Sequence, residues 1–272
     1  MKLKGKNRMR YILKVLFLSL CTIVISACQQ QDKNVLKVGT ISGPETELMQ
    51  TAKAVAKKQF GLNVEIVEFT DYLEPNAALN DGSIDANMFQ HQPYLDQQMK
   101  DRNYQLVAIG KTFVYPMGIY SAKVKSLQNI PVGAIVALPN DPSNEGRALI
   151  LLEKAKLIKM KDGISIYAMP EDIKENPKQL KFKELDAAQL ARSLPDVDLA
   201  IINTNYAIPA GLSPRKDALF IEGKDSPYAN IIVIRKDELK DPRMKQLVAA
   251  LQSDAVLKAT QRIFKGQAIV AW

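Results

Sequence analysis

Apolar runs alternate with amphipathic stretches from Val35 to the end of the chain. Short apolar runs and period-two alternation are typical of strands, whereas apolar residues three and four positions apart are typical of helices. The predicted strands are 36–41, 62–69, 84–89, pieces of 106–120, 134–138, 164–168, 180–185, 199–203, 220–221 and 231–234. The predicted helices are 45–60, 75–79, 91–102, 143–158, 187–193 and one long helix or helix pair at 242–264.

The repeating order of strand and helix predicts an α/β fold with a mainly parallel sheet. Two successive sets of these units, with no flexible linker between them, predict two lobes that face each other across a cleft. We expect residues 35–115 and 231–272 to form the first lobe and residues 119–229 the second, with crossings near Pro116 and Asn230. Ligands of such folds bind where loops converge at the carboxyl ends of strands, so the cleft is the expected site.

The N-terminus has the layout of a bacterial lipoprotein signal. Residues 1–14 carry six basic residues and no acidic one, and residues 15–27 carry no charge. As a helix, the uncharged run spans only about 20 Å, short of the ~30 Å hydrocarbon core, which favours a cleaved signal over a transmembrane helix. We therefore predict a signal peptide at 1–27, lipid on Cys28, a tether at 28–34 and a membrane-anchored position in the cell envelope. Ordinary secretion with Cys28 incidental is the alternative.

Loss of the predicted signal changes the charge and the cysteine content. The full chain has a formal net charge of +8, and six of its positive charges lie in the signal. The rest of the chain is nearly neutral and gives no electrostatic case for nucleic-acid binding. Cys21 leaves with the signal, so the mature chain has one cysteine and no internal disulfide. Its stability must then come from a hydrophobic core.

Polar residues after the predicted strands indicate ligand binding by hydrogen bonds rather than catalysis. Asp141 is a natural N-cap with Pro142 after it, and Arg147 follows in the first turns of the same helix. The guanidinium and the exposed N–H groups of the helix start together suit a carboxylate. The amides of Asn203 and Asn230 both donate and accept, which suits a zwitterion.

Aromatic residues cluster near the predicted loops of the first lobe and are candidates for a side-chain pocket. They are Tyr72, Phe89, His91, Tyr94 and Tyr115. The alternative is purely structural, with these rings in the core, Arg147 as a surface charge and the Asn residues as turn formers.

Five ordered sequence blocks carry a resemblance to a known family. They are DANMFQHQPYL (85–95), TFVYP (112–116), PNDPSNEGR (139–147), INTNYA (202–207) and DSPYAN (225–230). On these blocks the chain resembles the MetQ/NlpA methionine-binding lipoproteins, and the resemblance runs in order from Val35 to Trp272. Long blocks in a fixed order are far more specific than a single glycine motif.

The resemblance implies a two-lobed, type II periplasmic-binding-protein-like fold and a substrate-binding protein rather than an enzyme. Its implied partners are methionine, the permease and ATPase of an ABC importer, and a lipid bilayer reached through acylated Cys28. L-methionine is the first expectation, and D-methionine or a methionine dipeptide stays open. No cofactor, metal or nucleic acid is implied.

Carried over by position, the family pattern gives Arg147 the ligand carboxylate and places Asn203 and Asn230 on the polar backbone atoms of the ligand. Asn205 stands where many relatives look to have Thr, so its contact with ligand stays open. A polarizable thioether gains from aromatic contacts. The residues that would surround it are Tyr72, Phe89, His91, Tyr94 and Tyr115.

Three other functions use the same chain differently. A metal site at His91 would need Asp85 or Asp96 as co-ligands, and neither HExxH nor a Cys/His spacing is present in the sequence. An envelope hydrolase would need a nucleophile motif such as G-x-S-x-G, which the sequence lacks. A lipid-anchored adhesin on the same fold would carry its function on surface loops, and the retained Arg147, Asn203 and Asn230 argue against it.

Overall fold

The computed structural model describes residues 35–223 and 226–272. The predicted signal, Cys28 and the tether lie outside the described residues. The strands are β1 (Val35–Ile41), β2 (Asn63–Phe69), β3 (Ala86–His91), β4 (Leu106–Val114), β5 (Gly118–Tyr120), β6 (Ile135–Pro139), β7 (Lys159–Met160), β8 (Ile173–Glu175), β9 (Lys181–Leu185), β10 (Leu199–Ile202), β11 (Phe220–Ile221), β12 (Ala229–Arg235) and β13 (Ile269–Val270). The helices are α1 (Pro44–Phe60), α2 (Glu74–Asn80), α3 (Gln92–Arg102), α4 (Pro142–Lys154), α5 (Leu190–Ser193), α6 (Thr204–Ala207), α7 (Pro214–Asp217), α8 (Pro242–Leu251) and α9 (Asp254–Ile263). Within these described ranges, no helix is both long enough and apolar enough to cross a membrane.

Two larger sheets organise these elements. The first has the strand order β13-β4-β12-β3-β1-β2, and the second has the order β11-β5-β10-β6-β9. The first sheet takes its strands from residues 35–114 and 229–270, and the second takes its strands from residues 118–221. The chain therefore leaves the first sheet after β4 and returns to it with β12. Asn230, expected near a crossing, is the second residue of β12.

The predicted predominance of parallel pairing is wrong. Strand β12 lies between β3 and β4 and is antiparallel to both, while β1 is parallel to β3. In the second sheet, β10 is parallel to β6 but antiparallel to β5. The cause is topological. Strand β12 returns from the other sheet instead of following its neighbour through a helical crossover, so no βαβ connection makes it parallel.

The ends of α4 follow from local chemistry. Asp141 is the N-cap as predicted, because its Oδ1 accepts from the Asn144 N–H at 2.9 Å and Pro142 occupies the first turn. The helix ends at Lys154 and not at the predicted residue 158. Lys156 has a φ of 60°, and a left-handed residue ends a helix.

The segment 164–168 is irregular backbone, so the predicted strand there is wrong. It packs closely on α4, since a Cβ added at Gly146 would lie 2.2 Å from the Ile166 carbonyl oxygen. Ala168 in this segment is buried in the core of the second sheet. Burial against a helix produces the same short apolar pattern that a strand does.

Each sheet has its own hydrophobic core. In the first, Met88, Phe113, Ile232 and other strand residues pack against α1, α8 and α9. In the second, Val136 and Leu149 belong to a cluster that joins the strands to α4. Each large apolar side chain that is fully buried stabilises the fold by about 1.5–3 kcal/mol, which agrees with a chain that relies on its core.

Candidate ligand-binding site

A narrow cavity of about 20 Å³ lies between the two sheets, within about 230 Å³ of empty space that is partly open to solvent. Its walls are Tyr72, Phe89, Gln90, His91, Tyr94, Asn144 and Asn203. Strand β3 and the first turn of α3 form most of the wall on the first-sheet side. Helix α4 and the residue after β10 form the wall on the second-sheet side. Five of the residues predicted for the site thus line one cavity.

Aromatic rings form the apolar side of the cavity. The ring of Tyr72 has its centroid 5.8 Å from that of Phe89 and 6.0 Å from that of Tyr94. The ring of Tyr206, a residue to which the sequence assigned no specific role, has its centroid 5.1 Å from that of Tyr72. The Tyr94 hydroxyl donates to the Tyr72 carbonyl at 2.8 Å. Tilted and edge-to-face packing of this kind holds the rings in fixed positions.

His91 is neutral and acts as a hydrogen-bond donor. Its Nδ1 accepts from the Tyr94 N–H at 3.2 Å, so the proton lies on Nε2, which faces Asn144 Oδ1 at 3.3 Å. Burial and the nearby charge of Arg147 lower the pKa of His91 to about 3. Both ring nitrogens are engaged, so His91 is a fixed part of the wall.

Asn144 connects the helix start to the cavity. Its Oδ1 also accepts from Asn203 Nδ2 at 2.9 Å, and its Nδ2 donates to Asp141 at 3.0 Å. The N–H groups of the helix start are not exposed, because Asp141 accepts from Asn144 and both Ser143 and Asn144 are buried. The carboxyl group of Asp141 therefore already occupies the start of α4.

Arg147 is buried and held in place by a carboxylate that the sequence analysis missed. Its Nε donates to Glu222 Oε1 at 3.1 Å, and its Nη2 donates to Glu222 Oε2 at 2.5 Å and to the Tyr115 carbonyl at 3.0 Å. The guanidinium carbon lies 4.5 Å from the ring centroid of Tyr228, and that ring lies 5.0 Å from the ring of His91. Within the described part of the chain, Nη1 of Arg147 makes no hydrogen bond.

A second buried carboxylate lies near the predicted Asn230. Asn230 is opposite His91 in the β12–β3 pairing, but it does not line the cavity, and its Nδ2 donates to Glu45 Oε1 at 3.0 Å. Glu45 is 1% exposed, and its Oε2 makes no hydrogen bond of normal geometry among the described residues. Burial raises the pKa of Glu45 well above its usual range, and weaker interactions with the Ile41 backbone and with the side chains of Asn230 and Asn205 oppose that rise.

Asn205 is part of the same region. Its Oδ1 accepts from the Tyr72 hydroxyl at 2.7 Å, which links the second-sheet side of the cavity to the first. Its Nδ2 is buried and has no partner in the part of the chain that the structure describes. The buried Oδ1 of Asn203 is likewise without a partner there.

The ring of Tyr115 is not brought to the cavity. It stacks on Phe264 with the centroids 4.3 Å apart and belongs to the core of the first sheet. Only its carbonyl reaches the site, through Arg147. A role for this ring in contact with ligand stays a prediction.

Several residues of the site received no specific role from the sequence. Asn144 and Tyr228 stand inside the quoted sequence blocks and were the most accessible to sequence reasoning. Glu45 is in the first turn of a helix, where acidic residues are common for helix stability alone. Glu222 lies in a connection without any periodic pattern, and nothing local connects it with Arg147. The described residues contain no group of three or more His, Cys, Asp or Glu placed to hold a metal ion.

Fold and site together define a class of protein: a two-lobed α/β binding protein with a small ligand cavity lined by amides and aromatic rings. The NlpA lipoprotein family model matches residues 36–272. The D-methionine-binding lipoprotein MetQ of Salmonella typhi is 52% identical over 255 residues, which cover 92% of this chain and 94% of the relative.

Solved structures agree. An ABC transporter periplasmic substrate-binding protein from Coxiella burnetii is 61% identical with a TM-score of 0.85, over 87% of this chain and 100% of that one. A nutrient binding protein from Burkholderia cenocepacia bound to methionine is 52% identical with a TM-score of 0.85, over the same shares. The chain belongs to the NlpA lipoprotein family. The predicted resemblance and the α/β fold class are confirmed, and the family is one of binding proteins rather than enzymes.

Proposed function

We propose that the protein binds methionine in this cavity and delivers it to an ATP-driven importer. The observation that carries the proposal is a set of polar atoms around the cavity that make no hydrogen bond among the described residues. Three of them are buried, namely Glu45 Oε2, Asn203 Oδ1 and Asn205 Nδ2, and the fourth is Nη1 of Arg147. Of these residues, Asn203 lines the cavity itself. Buried polar groups are nearly always hydrogen-bonded, so a small ligand with both a cationic and an anionic group fits this set.

The ligand carboxylate is assigned to Arg147. A guanidinium has five N–H donors, and Glu222 and the Tyr115 carbonyl use those on Nε and Nη2. The donors on Nη1 remain for the ligand. Because Glu222 already neutralises part of the charge, its main effect is to hold the guanidinium in one orientation before the ligand arrives.

The ligand ammonium is assigned to Glu45, together with the amide oxygen of Asn203. A buried carboxylate with one unpartnered oxygen is unfavourable by itself. An ammonium group converts it into a charge-assisted hydrogen bond, which is among the strongest that proteins make. Asn230 supports the arrangement from the other oxygen of Glu45.

The thioether is assigned to the aromatic wall of Tyr72, Phe89, His91 and Tyr94, since sulfur makes favourable contacts with ring edges. The Burkholderia relative that contains methionine supports this ligand. The MetQ relative is named for the D-isomer, so titration of both isomers and of a methionine dipeptide decides the form bound.

The delivery mechanism combines lobe closure with anchoring. We assign 35–115 and 231–272 to one lobe and 119–229 to the other, in line with the strands that each sheet contains. Acylated Cys28 would anchor the protein to a bilayer, and the closed form would dock on the importer's permease and ATPase. Replacement of Cys28 by Ser should release the protein from the membrane fraction and abolish its labelling by palmitate; unchanged labelling would contradict this anchor.

The binding proposal is tested by Arg147→Ala, with the exposed Arg215→Ala as a matched control. Loss of one partner of a buried charge pair costs about 2–5 kcal/mol, so methionine should bind at least thirtyfold more weakly to R147A. R215A should bind like the parent protein. The proposal is overturned if the parent, stripped of carried ligand, binds neither isomer nor the dipeptide, which would favour the adhesin alternative, or if R147A binds with unchanged affinity.

A further inference from the structure

The two sheets are joined across the cleft by side chains of two kinds. Some belong to the cavity or its immediate surroundings, such as the Tyr72 hydroxyl on Asn205 and the ring of His91 on Asn144. Two contacts involve a hydroxyl outside the cavity wall: the Tyr206 hydroxyl donates to the Thr70 carbonyl at 3.3 Å, beside the ring of Tyr72, and the Tyr167 hydroxyl donates to the carbonyl oxygen of Pro93 at 3.1 Å, away from the aromatic rings.

Tyr167 lies in the irregular segment 164–169, on the second-sheet side. This segment is fixed to α4 by very close backbone packing, because a Cβ at Gly146 would lie 2.2 Å from the carbonyl oxygen of Ile166 and 2.8 Å from the nitrogen of Ala168. Gly146 immediately precedes Arg147 and is two residues after Asn144. The segment therefore moves with the helix that carries the ligand-binding groups.

Pro93 lies next to cavity residues on the first-sheet side of the cleft. It lies in the first turn of α3, between His91, which caps that helix, and Tyr94 of the aromatic wall. The Tyr167 hydroxyl thus connects the two helix starts that bear the cavity residues of each sheet. Burial and the charge of Asp96 raise the pKa of Tyr167, so the hydroxyl keeps its proton and remains a donor at neutral pH.

We propose that the segment 164–169 is a latch, in which the Tyr167–Pro93 hydrogen bond holds the cleft closed and prolongs the residence of a ligand that Tyr167 never touches. The proposal rests on the function proposed above. The latch breaks when the cleft opens and forms after the ligand has entered. Its hydrogen bond should therefore slow ligand dissociation and leave the association rate unchanged.

The test is Tyr167→Phe, which deletes only the hydroxyl. The matched control is Tyr104→Phe, because the half-buried Tyr104 packs in a cluster of the first sheet and its hydroxyl makes no hydrogen bond within residues 35–223 and 226–272. Stopped-flow measurement of methionine binding should give a dissociation rate about three- to tenfold faster for Y167F, with an unchanged association rate. Y104F should keep both rates.

A second variant, Tyr167→Ala, removes the ring as well and should accelerate dissociation at least as much as Y167F. If the parent protein binds no methionine, the proposed function fails and the latch fails with it. If the parent binds but Y167F dissociates within twofold of the parent rate, the latch alone is overturned. A slower association with unchanged dissociation would also overturn it, since that pattern indicates a disturbed entrance.

Discussion

Replacement of Glu45 by Gln should stabilise the empty protein and weaken methionine binding at the same time. Glu45 is 1% exposed, and its Oε1 accepts from Asn230 while its Oε2 is unpartnered in the described part of the chain. Gln keeps an acceptor for Asn230 and has the same shape, but it carries no charge. The variant therefore separates the cost of burying a carboxylate from its use in holding an ammonium group.

The expected magnitudes follow from the burial and the partners of Glu45. Burial makes the charged form of Glu45 unfavourable, as its raised pKa indicates, so the neutral amide of E45Q should raise the free energy of unfolding at pH 7 by about 1–3 kcal/mol. Removal of the charge opposite a ligand ammonium should cost about 2–5 kcal/mol of binding free energy. A stabilised fold with weakened binding is the signature of a residue kept for function.

The ionisation of Glu45 should make the stability of the parent protein fall as the pH rises. Burial raises the pKa of Glu45 in the folded state, so the native protein binds this proton more tightly than the unfolded chain does. Between the unfolded and the folded pKa, the native state holds more protons, and the stability of the parent should fall as the pH rises through that interval. E45Q should lack this component of the slope.

Urea unfolding without ligand, at several values from pH 4 to pH 8, measures the first effect, and calorimetric titration with methionine measures the second. Glu47→Gln is the control, because Glu47 is on the same helix but exposed. An E45Q variant that is less stable than the parent at pH 7, or that binds methionine within twofold of the parent affinity, would contradict this role of Glu45.

Two further predictions concern α4 and His91. Replacement of Gly by Ala inside a helix normally stabilises a protein by up to about 1 kcal/mol. Gly146→Ala should instead destabilise the fold by about 1–3 kcal/mol, because its Cβ would lie 2.2 Å from the Ile166 carbonyl oxygen. A urea unfolding midpoint above that of the parent would contradict this packing. His91 has a pKa of about 3 in the folded state, so the unfolded chain takes up its proton first and the parent should lose stability as the pH falls from about 6.5 towards 3. His91→Asn keeps an N-cap acceptor and should bring the urea midpoints measured at pH 7 and pH 5 closer together. If the difference between the two midpoints is the same as in the parent, the loss of stability at low pH comes from groups other than His91.

The fold was predictable where the information is local. Asp141 and Pro142 mark the start of α4 within a few residues, and the apolar patterns of β3, β10 and β12 have the lengths of buried strands. The antiparallel orientation of β12 was not predictable from the sequence. It depends on which neighbours a returning strand joins, and no local pattern encodes that choice. The segment 164–168 shows the related limit, since burial against a helix and burial in a sheet give the same short apolar run.

In the site, too, local patterns were predictable and long-range pairings were not. The aromatic wall was predictable because Phe89, His91 and Tyr94 follow one another at the end of one strand and the start of one helix. The charged groups were only half predictable. Arg147 stands in a recognisable block, but its partner Glu222 is 75 residues away, and Glu45 is 185 residues from Asn230. Pairs so distant in sequence are set by the tertiary structure alone.

In the proposed function, the protein recognises methionine through both charged groups of the ligand. Calorimetric titration tests this recognition, with residues 29–272 refolded after denaturation to remove carried ligand, and with L-methionine, D-methionine and a methionine analogue that lacks the ammonium group. At least one methionine isomer should bind one-to-one, and the analogue should bind at least thirtyfold more weakly, because Glu45 then has no cation to hold. Equal binding of the analogue, or no heat from either isomer, would contradict it.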